Sequence, residues 1–266
     1  AMALTLLPVS AMAEEEKVAK VGDVEYETLQ AAIDAATAGQ TVKLVANTAE
    51  DIKIPADKDI TLDLGNSKLT NKSGDTITVE KGGKLSISDS VGTGVVDNTS
   101  HGKAAIYNEG EVTLNGGTFE RSKEAGKNAS ENGGNSFYTV LNHGVMTVED
   151  GVTIKNTGKY SSLFENGYQN YNNRDGIEWP ALTITGGTLD GGLNTVKNDE
   201  GGVLEITGGE IKNSAQACVL NWNKAIITAG TFTLSSGEAT VMVGKYSAQA
   251  VGDTKISGGT FTAPND

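Results

Sequence analysis

Leu204-Glu-Ile206-Thr-Gly208-Gly209-Glu210-Ile211 is the stretch that decides the fold, because close relatives of it return along the chain. Gly116-Gly117-Thr118-Phe119, Gly186-Gly187-Thr188-Leu189 and Gly258-Gly259-Thr260-Phe261 repeat the glycine pair. Looser versions stand at Asp150-Gly151-Val152-Thr153-Ile154 and Ala229-Gly230-Thr231-Phe232. Short alternating segments precede them, such as Val112-Thr-Leu114, Met146-Thr-Val148 and Leu182-Thr-Ile184, with the period-two pattern of a half-buried strand. Self-similarity near 22 residues predicts a solenoid whose coils bury their apolar faces only by stacking.

Composition agrees with that reading. The chain of 266 residues carries 34 Gly but only 4 Pro, 7 Tyr, 5 Phe and 2 Trp. Many Thr, Val and Ile beside so much glycine describe short strands joined by tight turns. The formal charge of −13 repels phosphate backbones, so nucleic-acid binding is excluded as an expectation, and polyuronate substrates would need bridging calcium. Cys218 is the one cysteine, so an intrachain disulfide cannot form, and its neighbours Ala217 and Val219 predict a packed thiol.

Residues 1–13 read as the back end of a secretory signal: an apolar run at Leu4 to Leu7, Pro8, and an Ala11-Met12-Ala13 triplet before three glutamates. The run is too short to cross a bilayer, so membrane insertion is not expected. Export to the medium or the cell surface is the expected location. Residues 14–45 form a linker, a capping helix and a first strand, and 46–266 the coils. In Leu29-Gln-Ala-Ala32-Ile33-Asp-Ala-Ala36 the apolar residues share one helical stripe, with Thr28 as N-cap and Gly39 beyond the C-terminus.

Tyr26, Leu29 to Ala36, Gly39 and the strand Val42 to Val45 together resemble the opening of right-handed parallel β-helix proteins of the pectin lyase-like superfamily. With the coils, the resemblance covers residues 24 to 262. It implies an all-β, right-handed parallel β-helix of about eight or nine coils behind a short capping helix. Its implication for activity is broad, since that superfamily holds lyases, hydrolases, tailspikes and non-catalytic adhesins.

Measured at the second glycine, the coil steps are 34, 36, 22, 21 and 29 residues. Three coils therefore carry insertions of roughly 12, 14 and 7 residues. The first, near Arg121 to Ser136, is polar; the second holds Tyr160, Phe164, Tyr168, Tyr171 and Trp179. One precedes and the other follows an apolar-x-Asn strand, so the two are expected to flank one face. Aromatic side chains are platforms for sugar rings and anchors of protein interfaces, and alternatively they pin a loop to the coils. Tyr160, Phe164, Tyr168, Tyr171, Arg174, Trp179 and Trp222 are the candidate ligand-binding residues, for a glycan or a host protein.

The segments Ile106-Tyr-Asn108, Val140-Leu-Asn142, Val196-Lys-Asn198 and Val219-Leu-Asn221 predict a structural row of corner asparagines. Hydrolysis of a glycoside needs two carboxylates at a controlled separation, for which Glu165, Asp175 and Glu178 are the candidates. Lyase chemistry would call on Arg121 or Arg174. The residue pairs that mark β-helix polygalacturonases and pectate lyases are absent, so a binding module is preferred over a carbohydrate-active enzyme, with a ligand-free stalk as third reading. His101 and His143 are 42 positions apart, and neither a metal site nor a cofactor is expected. A glycine-pair strand so close to Asp266 predicts a longer surface protein.

Overall fold

The computed structural model describes residues 16–124, 137–167, 180–244 and 252–264. The chain is a right-handed parallel β-helix built from three long sheets. Each coil contributes one strand to the first sheet, then one to the second and one to the third. Each coil therefore pairs through its strands with the coils on either side of it. The Asp59–Asp63 and Lys84–Ser88 strands of the first sheet pair with Leu62 beside Ile87, and the later rungs repeat that step. The strands before the glycine pairs (Glu111–Leu114, Val145–Val148, Ala181–Ile184, Val203–Ile206) all lie in the first sheet. Those after them (Gly117–Glu120, Val152–Asn156, Thr188–Gly191, Glu210–Asn213) form the second. The apolar-x-Asn strands form the third.

Nine parallel rungs stack in the first sheet, from Thr41–Leu44 to Asp253–Ile256. Ile77–Val79 and Lys84–Ser88, two separate apolar segments in sequence, are the third-sheet strand of one coil and the first-sheet strand of the next. Alternation sends every second side chain inward, so Leu62, Ile87, Leu114, Val148, Ile184, Ile206 and Ile227 form one buried column. Phe119, Phe164 and Phe232 are fully buried, and Phe232 stacks on Phe261 at 4.6 Å.

The N-terminal end of the stack is closed. Ala19–Val21 pairs antiparallel with both Val24–Tyr26 and Thr41–Leu44, and the helix Leu29–Ala35 lies across the end with Leu29, Ala32 and Ile33 buried. Thr28 Oγ1 accepts from Ala31 N–H at 3.2 Å. Glu50 accepts from Leu29 N–H at 2.7 Å and Gln30 N–H at 3.1 Å, placing a carboxylate on the positive end of the helix. The helix stops sooner than the sequence pattern implies. Ala36 is already extended and serves as its C-cap, while Gly39 (φ 79°) turns the chain into Thr41–Leu44.

The corner from the third sheet to the first is built from asparagine and glycine. Asn108 Nδ2 donates to Asn142 Oδ1 (2.7 Å), Asn142 to Asn166 (2.7 Å), Asn166 to Asn198 (2.8 Å) and Asn198 to Asn221 (2.8 Å). Each also donates to a carbonyl of the following coil, as Asn142 does to Ala181 O at 3.0 Å. All five are fully buried. Asn166 belongs to the row although its strand, Phe164-Glu-Asn166, departs from the aliphatic-x-Asn pattern. Two positions after Asn108 and Asn142 the coils approach so closely that only glycine fits: a Cβ on Gly144 would meet Gly110 O at 2.1 Å.

Candidate functional site

Parallel register sets the middle residue of each third-sheet strand in one outward row: Lys53, Thr78, Tyr107, Leu141, Glu165, Lys197, Leu220 and Met242. Neighbours in that row are about 4.8 Å apart. Both long insertions flank this sheet. The chain between 121 and 139 enters Val140–Asn142, and the chain between 167 and 180 leaves Phe164–Asn166. The third insertion, between 244 and 252, leaves the same sheet after Ala239–Val243.

The centre of the row is ionic and covered. Glu165 is 3% exposed and Asp199 fully buried. Lys197 Nζ lies 2.8 Å from Asp199 Oδ2 and 3.3 Å from Glu165 Oε2, and donates to Tyr138 Oη at 3.4 Å. The ammonium sits 4.8 Å from the Trp222 ring centre and 5.6 Å from that of Tyr138, within cation–π range of both. Glu200 N–H donates to Asp199 Oδ1 at 2.7 Å.

Burial first, and then the hydrogen bond to Asp199, push the Glu165 carboxyl well above the usual carboxylate range, against the pull of Lys197. Burial also pushes Asp199 upward, but the hydrogen bond from Glu165 and the charge of Lys197 outweigh it and leave Asp199 lowered. Lys197 loses solvation, yet its anionic neighbours dominate and raise it. Shifts in these directions favour a neutral acid, a carboxylate and an ammonium, a set with no net charge. That balance is what makes their burial tolerable.

The residues picked out in the sequence separate into three groups. Glu165 and Trp222 come together in this cluster. Tyr160 is half-buried at the corner before Phe164. Tyr168, Tyr171, Arg174, Asp175, Glu178 and Trp179 lie outside the described residues. Phe164 must be reassigned: its strand position points inward, it has no exposed surface, and it is core instead of ligand-binding surface. Arg121 is also removed from any lyase role. It is 1% exposed, and its guanidinium donates to Phe137 O, clamping together the two ends of the first insertion. Lys197, Asp199 and Tyr138 escaped notice. Aligning Phe164-Glu-Asn166 with Val196-Lys-Asn198 would have set Glu165 directly beside Lys197.

Elsewhere on the row, Tyr107 donates to Glu109 Oε1 (2.8 Å) and meets the His143 ring edge-on at 5.4 Å. A separate open cleft of about 360 Å³ lies at the corner between the second and third sheets, lined by Lys155, Lys159, Asp190 and Ser214 among others. Both its lysines are engaged, Lys155 with Glu120 at 3.3 Å and Lys159 with Ser214 O at 3.0 Å. Among the described residues no group of three or more His, Cys, Asp or Glu could hold a metal ion, and no helix is long and apolar enough to cross a membrane.

Comparison of the chain with protein-family models, with curated proteins and with solved structures finds no match.

Proposed function

We propose that this chain is an exported or cell-surface binding module, adhesin-like in character, that recognises a glycan or a host protein through its third-sheet flank. One observation carries the reading: all three insertions adjoin the same sheet, and that sheet's outer row and margins carry Tyr107, Tyr138, His143 and Trp222. Long excursions on one side of a rigid scaffold are where recognition residues are carried. The opening motif's likeness to pectin lyase-like proteins supports the same reading, since that superfamily includes adhesins. A glycan array and a pull-down from host secretions test it, using the intact chain beside Tyr107→Ala, Trp222→Ala and the triple variant of Tyr168, Tyr171 and Trp179 to Ala. Binding that falls in these variants but survives in Ile226→Ser, an exposed first-sheet position, supports the proposal. Equal binding by all of them refutes it.

The opposed shifts of Glu165 and Asp199 favour one second reading, a carbohydrate-active enzyme, because a carboxyl kept protonated beside an ionised one is how acid and base roles are divided. Against it, the two carboxyls touch, whereas glycosidase pairs stand about 5 Å or more apart. Polysaccharide digestion by the chain and by Glu165→Gln and Asp199→Asn decides: turnover lost in both variants supports catalysis, and no turnover on any polymer removes it.

A further inference from the structure

We propose that Lys197 and Glu165 condense into a side-chain amide, a covalent tie between the Phe164–Asn166 and Asn194–Asn198 strands, with Asp199 carrying the protons. The inference is independent of what the molecule binds.

Five observations support it. Parallel register places Glu165 and Lys197 directly opposite each other. Lys197 Nζ is 3.3 Å from Glu165 Oε2, so the carboxyl group that it would attack at Cδ is its immediate neighbour. Oε2 is buried and has no hydrogen-bond partner, so the ammonium faces the carboxyl without satisfying it. Asp199 Oδ2 is 2.8 Å from the same nitrogen and its carboxylate accepts the Glu165 proton, so one base touches both reacting groups. The ammonium is within cation–π range of both Tyr138 and Trp222, and the site is nearly closed to solvent.

The chemistry balances without a co-reactant. The starting state is Lys197 as ammonium, Glu165 as carboxylic acid and Asp199 as carboxylate. Asp199 takes one proton from Nζ, and the freed lone pair attacks Glu165 Cδ. Asp199 then returns that proton to the departing hydroxyl, which leaves as water, and accepts the second proton that nitrogen sheds. The products are a secondary amide, one water and protonated Asp199, with net charge zero before and after. The anionic neighbours hold Lys197 as the ammonium, so the attacking amine exists only in the fraction of molecules in which Asp199 has taken its proton, a transfer that removes two buried charges. Effective molarities of about 10⁵ M or more for held reactants account for an amide forming without activation. Expulsion of the water from a closed site opposes reversal. In a chain whose single cysteine rules out an internal disulfide, such a tie would lock one coil to the next.

The test is a tryptic map of the full-length chain, denatured before digestion and read by mass spectrometry. The expected product is Tyr160–Arg174 joined to Asp175–Lys212, lighter than the two together by one water and uncut after Lys197. Cleavage after Lys197 with a free Tyr160–Arg174 peptide overturns the proposal. Lys197→Arg and Asp199→Asn, checked for strand content by circular dichroism, should both give unlinked peptides. A water loss that persists in Lys197→Arg also overturns it, since that marks an Asp-Gly succinimide at Asp175-Gly176 or Asp190-Gly191. Linkage that persists in Asp199→Asn refutes the role given to Asp199. The map of the unsubstituted chain decides the central claim even if neither variant folds.

Discussion

Removing the Asn142 side chain isolates the contribution of the asparagine row. Its Nδ2 reaches Asn166 Oδ1 at 2.7 Å and Ala181 O at 3.0 Å, and its Oδ1 accepts from Asn108 Nδ2 at 2.7 Å and Gly144 N–H at 3.2 Å. In Asn142→Ala, Asn108 Nδ2 keeps its bond to Val145 O, whereas Asn166 Oδ1, Ala181 O and the Gly144 N–H each lose the Asn142 bond. A buried polar group left unsatisfied costs about 1–3 kcal/mol, so the variant should lose about 4 kcal/mol. Asn115→Ala is the matched control: Asn115 also bridges coils, to Ser86 Oγ at 2.7 Å, but on the exposed side, and should lose only about 0.5 kcal/mol. Urea unfolding supplies the totals. Amide exchange locates the damage, which should appear at Gly167, whose N–H donates to Asn142 O across the same corner. Ligand binding at the outer row should survive. Losses in the two variants within about 1 kcal/mol of each other would refute the claim that burial of the row, and not mere coil bridging, sets its worth.

Other outcomes follow from the same geometry. Phe164→Ala should cost about 4 kcal/mol in denaturant titration, because a fully buried ring leaves a void between coils, while Tyr160→Ala, half-buried, should cost far less. Asp63 is pushed up by burial but pulled down further by Ser90 N–H and hydroxyl, Gly65 N–H and Lys43, for a net lowering. Its contribution is therefore present above the unfolded carboxylate pKa of about 3.9 and is lost as pH falls through the lower folded value. Asp63→Asn should accordingly destabilise at pH 7 and make little difference at pH 2, as read from urea midpoints. Burial lifts the Cys218 thiol to about 12, so a disulfide reagent at pH 8 should label the native chain negligibly and the guanidinium-unfolded chain fully; rapid native labelling would place Cys218 at the surface.

The fold was legible because stacking forces repetition. Once a coil must present Leu204-Glu-Ile206 to the same column as Leu182-Thr-Ile184, the period in the sequence is the rise of the solenoid. The helix over the end was legible through Thr28 and the Leu29, Ala32 and Ile33 stripe, although nothing in the sequence revealed Glu50, 21 positions away, at its N-terminus. The cluster on the third sheet was less readable. Aromatic density pointed to the segment holding Phe164, but strand alternation turns that ring inward and its neighbour Glu165 outward. Lys197 was in plain view as the middle of Val196-Lys-Asn198, yet its partners depend on which strand lies alongside, and that is a property of register between coils of unequal length.

The asparagine row also has a direction. From Asn108 to Asn221 each amide nitrogen faces forward, and Asn221 passes the last bond to Thr254 Oγ1 at 2.8 Å. Reversing one amide would set oxygen against oxygen on one side and nitrogen against nitrogen on the other. The file therefore cannot turn around piecemeal, and whichever winding settles first dictates the orientation that the next must copy.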